Sequence, residues 1–210
     1  GAFSMLIAEI VALKQTNLKR IFAYSSLGQV GLLITAFAMQ NSDVVEGALF
    51  IVIAHSVAKS IIFLAFNNIY QEYKSFDITV LKKLNAPFLK VVTLIAMLSL
   101  LGIPLFAGFI GKFLILKAIA VDGMFSIVAI ILIASLLEAI YYFKLMGFMF
   151  IKNETRDVLK VDIVHKVIFA ILALLLLFIG IFPFSISNFL LDCANIFLDS
   201  SSFINMLVKN

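Results

Sequence analysis

Apolar runs recur along this chain at about 21–40, 47–70, 88–120, 124–151 and 164–188, with a shorter one at 2–15. The hydrocarbon core of a bilayer takes about 20 such residues as one α-helix. Inside lipid only helices and closed barrels satisfy their own backbone hydrogen bonds. A barrel needs strands of about ten residues with alternating polarity, whereas stretches such as "IVAIILIASLLEAIYYFKLMGFMF" are continuously apolar. The chain therefore reads as all-α: a polytopic transmembrane helix bundle of about six helices, embedded in the lipid bilayer. Its 63% hydrophobic content exceeds the roughly half expected of a soluble domain. The run at 2–15 is too short to span, follows no initiator Met, and has neither the basic start nor the cleavage site of a signal peptide. It reads as the remainder of a helix that begins before Gly1.

The run at 88–120 is anomalous. As one helix its 33 residues would measure roughly 50 Å, against a hydrocarbon core of about 30 Å. Gly102 and Pro104, in "LLGIPLFAGFIGKFLIL", supply a break, because proline lacks a backbone donor and clashes with the carbonyl four residues earlier. The freed backbone groups need protein or water around them, so the break is expected to face the bundle interior.

The cations sort by loop. Lys14, Lys19 and Arg20 precede the second run, Lys74, Lys82 and Lys83 lie between the third and fourth, and Lys152, Arg156 and Lys160 between the fifth and sixth. The alternate loops carry Asp43 and Glu46, then Asp122, then Asp192 and Asp199. Because lysine and arginine stay on the cytoplasmic side during insertion, loops 14–20, 71–87 and 152–163 are expected to be cytoplasmic and the protein to cross the inner (plasma) membrane. Topology accounts for these charges without nucleic acid as a partner. The stretch "QEYKSFDITVLKKLNAP" has room for a short surface helix. Residues 1–190 form one bundle, and 191–210 mix apolar residues with Asp and Ser as an interfacial or partner-facing helix does.

Ionisable residues remain inside the spans: His55 and Lys59, Lys112, and Glu138. Each costs about 2.5–3.5 kcal/mol at the membrane centre and marks a polar interior or a transport path. His55 and Lys59 share one helix face and are candidates for proton transfer between imidazole and amine. Lys112 follows the break by about two turns and is the expected proton carrier, while Lys117, nearer the end of the run, snorkels to the interface. Glu138 completes an acid–base series; at about 8 Å from a charged lysine it would feel roughly 2 kcal/mol at an effective dielectric of 20. Tyr141, Tyr142 and Lys144 read as interfacial anchors. Glu9 is a further candidate site residue on the shortened first helix. No nucleotide-binding glycine loop or cysteine cluster is present. Cys193 has no internal partner. No catalytic residue, cofactor or metal is expected, and redox chemistry is not assigned to the chain.

Three motifs, "ALKQTNLKRIFAYSSLGQVG", "AHSVAKSIIFLA" and "LSLLGIPLFAGFIGKFLIL", resemble the proton-translocating antiporter-like subunits of respiratory complex I, membrane-bound hydrogenases and Mrp sodium/proton antiporters. The resemblance covers about residues 1–150. It implies a bundle of 14 helices in two inverted repeats, of which this chain is similar to helices 9 to 14, with the N-terminal half missing. Lys112 then matches the central lysine or glutamate of the second broken helix, His55 and Lys59 the histidine and lysine of the preceding hydrophilic axis, and Gly102 and Pro104 the break. Glu138 lies in "SLLEAIYYFKL", which looks more like Mrp and hydrogenase members. The implied function is proton translocation, or proton/sodium exchange, by a non-redox subunit within an NADH:quinone oxidoreductase-like or hydrogenase-like complex, with other membrane subunits as partners. Two alternatives stand beside it: a structural membrane subunit whose charges lock helices together, and a solute transporter, since broken helices also build organic-substrate sites.

Overall fold

The computed structural model describes residues 1–151, 159 and 161–199. Lys152, Arg156, Lys160 and Lys209, most of loop 152–163, and the tail from 200 lie outside the described residues. Among the described residues the chain forms eight α-helices: α1 Ala2–Leu13, α2 Leu18–Phe37, α3 Ser42–Tyr73, α4 Pro87–Leu101, α5 Ala107–Val121, α6 Phe125–Phe150, α7 Ile163–Ile181 and α8 Phe184–Leu198. A short 3-10 helix, Ile78–Lys83, occupies the connection for which a surface helix is expected.

Local chemistry fixes the ends. Asn17 starts α2 by accepting the Arg20 N–H, Asn41 starts α3 by accepting those of Asp43 and Val44, and Pro87 opens α4, where its missing N–H costs nothing. Asp77 accepts the hydroxyl and the N–H of Thr79, two bonds that hold its carboxyl below the usual carboxylate range.

α3, α6 and α7 are each long and apolar enough to cross a membrane. α4 and α5 have 15 residues each, about 22 Å at 1.5 Å per residue, so neither crosses alone.

Two expectations about the ends of runs are corrected. The run at 164–188 is not one span: α7 stops at Ile181 and α8 starts at Phe184, because Pro183 cannot donate and its ring crowds the carbonyl of Ile179. Residues 191–198 are therefore the second half of α8 rather than the start of a separate helix. Likewise α3 begins at Ser42 rather than 47, which moves Asp43 and Glu46 from a loop into its first turns, with Glu46 buried.

The two ends of the bundle differ in charge. At one end the Leu18 N–H donates to Phe76 O and the Ile78 N–H to Thr16 O, while the Leu159 N–H donates to Asn85 O. These bonds gather the connections that hold Lys14, Lys19, Lys74, Lys82 and Lys83. At the other, Asn41 donates to Asp122 at 3.1 Å. α8 crosses this second end, its Ser187 on Glu46 of α3 and its Phe197 ring 5.4 Å from Phe37, the last residue of α2.

Glycines let backbones meet at the interfaces the site depends on, as small residues do in membrane bundles. A Cβ on Gly111 of α5 would sit 2.6 Å from Gly47 O of α3, and one on Gly108 would fall onto Ser99 O of α4.

Candidate functional site

The site starts from the broken run. α4 ends with Gly102 at φ 76°, where only glycine is comfortable, and Leu105 in the following link also has positive φ, 79°. The Gly102 N–H returns to Ser99 O and the Ile103 N–H to Leu98 O. The carbonyls of Leu100 and Leu101, left at the negative end of α4, accept from Lys112 Nζ at 3.0 and 3.3 Å. The break thus supplies polar partners that a continuous helix would withhold.

Lys112 is only 8% exposed and Glu138 only 2%, and the third partner of the ammonium is Glu138 Oε2 at 2.7 Å. The two side chains are in direct contact between α5 and α6. Lys117, by contrast, is exposed. Glu138 also accepts from Gln29 Nε2 on α2, at 3.2 and 3.4 Å.

A second group lies beside the first. Lys59 Nζ donates to Phe22 O at 2.9 Å and to Ser25 Oγ at 3.0 Å, and Ser25 Oγ shares a 2.8 Å hydrogen bond with the Tyr142 hydroxyl. On the next residue, the Tyr141 hydroxyl donates to Glu9 Oε2 at 2.8 Å. Glu9, Lys59, Lys112 and Glu138 are all buried, so two carboxyl groups and two amino groups are gathered in one interior cluster, with Lys112 and Glu138 in direct contact.

His55 sits one helical turn from Lys59, yet no hydrogen bond joins them. Its Nδ1 is buried without a hydrogen-bond partner, and its ring lines a cavity with Gln29, Ser99, Gly108 and Lys112. That cavity measures about 10 Å³, roughly what one water molecule needs. It is too small for an organic solute, so the geometry weighs against the solute-transporter alternative.

Tyr141 and Tyr142 are corrected from interfacial anchors to interior residues: both are buried, Tyr141 hydrogen-bonded to Glu9 and Tyr142 to Ser25, which in turn accepts from Lys59. Lys144 is exposed. The sequence reading also passes over Ser25 and Gln29. A usable signal existed: they are four apart on α2 and share a face, and Tyr141 and Tyr142 lie three and four residues beyond Glu138 on its face of α6.

The sequence profile of the transmembrane family described as NADH:quinone oxidoreductase/Mrp antiporter matches residues 1–138, which hold Glu9, His55, Lys59, Lys112 and Glu138. The chain belongs to this family. It is 33% identical over 160 residues to NADH-quinone oxidoreductase subunit N 2 of Symbiobacterium thermophilum, covering 73% of this chain and 31% of that protein. A chain of the archaeal membrane-bound sulfane sulfur reductase superimposes with a TM-score of 0.89 at 28% identity, covering 97% of this chain and 42% of that one. A chain of Thermus thermophilus respiratory complex I gives 0.84 at 26% identity, over 94% and 42%. The chain spans about two fifths of the length of NADH-quinone oxidoreductase subunit N from Flavobacterium psychrophilum, Bacillus anthracis and Nitrosomonas europaea. Family membership makes it an integral membrane protein.

Proposed function

We propose that this chain is part of a membrane subunit that translocates protons, or exchanges protons for sodium, within a multi-subunit complex driven by a redox machine or by an ion gradient. The observation that carries the reading is the Lys112–Glu138 pair, closed off from lipid at a helix break and opening onto a water-sized cavity beside His55. Passing the proton across that 2.7 Å contact turns ammonium and carboxylate into amine and carboxylic acid, so no net charge is created in the interior. His55 and the cavity then connect Lys112 with Lys59. Glu9 belongs to the Lys59 side through Tyr141 and Tyr142. The match to about two fifths of its relatives' length supports reading residues 1–190 as the C-terminal half of an antiporter-like domain, with other membrane subunits as partners.

The test is proton movement into liposomes that contain the assembled complex with the full-length subunit, read by a trapped pH-sensitive dye in the presence and absence of sodium. Lys59→Met is expected to lower the flux by at least about a hundredfold, as loss of a positioned proton carrier does, while the partner subunits still co-purify. Unchanged flux in that variant would remove the proposal.

We also infer that the cationic end faces the cytoplasm of a cell whose inner membrane holds the protein. Single cysteines at Lys83 and at Asp122 in the full-length protein, with Cys193 replaced by Ser, test this with a membrane-impermeant thiol reagent. Cysteine at 122 is expected to label in intact cells stripped of any outer layer, and cysteine at 83 only after lysis. The reverse pattern would invert the topology.

A second reading has its own observation: direct contact between Lys112 and Glu138 is also the geometry of a pair that locks α5 to α6. The variants treated first in the Discussion separate the two.

A further inference from the structure

Glu46 is a third buried carboxylate among the described residues, beside Glu9 and Glu138, and the transfer route above does not use it. It is 5% exposed. Among the described residues no lysine, arginine or histidine pairs with it. Its partner is Ser187 of α8, whose hydroxyl donates to Oε1 at 2.5 Å, at the short limit of such bonds and typical of a charge-assisted one. Capping α3 does not require Glu46, because the Asn41 side chain already takes the free N–H groups of Asp43 and Val44.

Its position is informative. The next residue, Gly47, meets α5 so closely that a Cβ there would lie 2.8 Å from Gly111 O, and Lys112 follows Gly111. Glu46 therefore stands on the helix that touches the Lys112 turn. It is displaced from that turn toward the end of the bundle that holds Asn41 and Asp122. Its carboxylate reaches α8, where Ser187 is only half-buried and Asn188 is exposed. Gly180, near the end of α7, packs on the backbone of Leu105 and Phe106, which sets the break beside the turn that leads into α8.

We propose that Glu46, with Ser187, is the last proton-accepting station between Lys112 and the acidic face. This rests on the translocation reading above. The Lys112 ammonium releases a proton to water, water delivers it to the Glu46 carboxylate, and the resulting carboxylic acid returns it to water at the half-open edge of α8. Amine and carboxylate are left, and Lys112 is recharged from the His55 side. Ser187 holds the carboxylate toward the outlet.

The test uses the assembled complex with the full-length subunit in liposomes. Glu46→Gln keeps an oxygen that can accept from Ser187 but cannot carry a proton. It is expected to co-purify with its partners at wild-type yield and to lose flux on the order of a hundredfold. Glu46→Asp should recover part of that flux, and Ser187→Ala should lose less than Glu46→Gln does. Glu46→Gln that assembles and pumps like wild type overturns the proposal, and if Lys59→Met still abolishes flux in the same preparation, translocation itself stands. If Glu46→Gln fails to assemble, Glu46→Asp decides: flux retained with the Ser187 bond shortened out of reach supports a proton carrier, whereas loss of both flux and assembly makes Glu46 a structural tie and ends the inference.

Discussion

Lys112→Met in the full-length subunit is expected to abolish translocation and to destabilise the protein by about 3–5 kcal/mol, because it leaves Glu138 as an uncompensated buried charge. It also strips the Leu100 and Leu101 carbonyls of the donor they now share. The informative comparison is the double variant Lys112→Met with Glu138→Gln. Replacing both members of a buried pair by neutral groups is often close to neutral in stability, and the Gln amide can donate to the carbonyls of α4 or accept from Gln29. Thermal unfolding in detergent should therefore show most of the loss recovered in the double variant. Proton flux into liposomes should remain absent in both. If the double variant regains flux along with stability, the pair is a helix lock and the structural reading wins.

The second large effect is expected from Gly108→Ala. The added carbon would land on the backbone oxygen of Ser99, and neither partner is a flexible side chain that can step aside. α4 and α5 would have to separate at the break, moving Lys112 off the carbonyls it binds. Overpacking of this kind costs typically about 1–3 kcal/mol and occasionally more; the upper end is expected here. Gly147→Ala is the matched control. A Cβ there meets nothing within 4 Å, and replacing a mid-helix glycine should stabilise α6 by up to about 1 kcal/mol. Melting temperatures of the purified full-length subunit read both, and equal melting of Gly108→Ala and wild type would mean that the two half-helices do not approach as described.

The break and Lys112 were legible in the sequence because their cause is local. A run too long for a bilayer, carrying Gly102 and Pro104, has to give way there, and a lysine just past the gap has to find oxygen. What was not legible depended on which face met which neighbour. Tyr141 and Tyr142 were placed by their distance from the end of a run, whereas their burial follows from sharing Glu138's face of α6, and only packing against α1 and α2 reveals that. Hydropathy alone puts Glu46 in a loop, because it drops at any carboxylate and marks the apolar segment, not the helix. Pro183 is masked in the sequence by the apolar residues on both sides of it, so composition continues where the backbone does not. The separation of Lys112 and Glu138 belongs to two helices whose sequences say nothing of each other's rotation.

Three consecutive-face groups on α6, Glu138, Tyr141 and Tyr142, reach three other helices: α5 through Lys112, α1 through Glu9, and α2 through Ser25 and Gln29. Sliding α6 by one turn along its axis, or rolling it by a few tens of degrees, would orphan all of these contacts at once. α6 is thus keyed in both height and azimuth, so any displacement of this helix must carry its keyholes along or act on the protons and water between them.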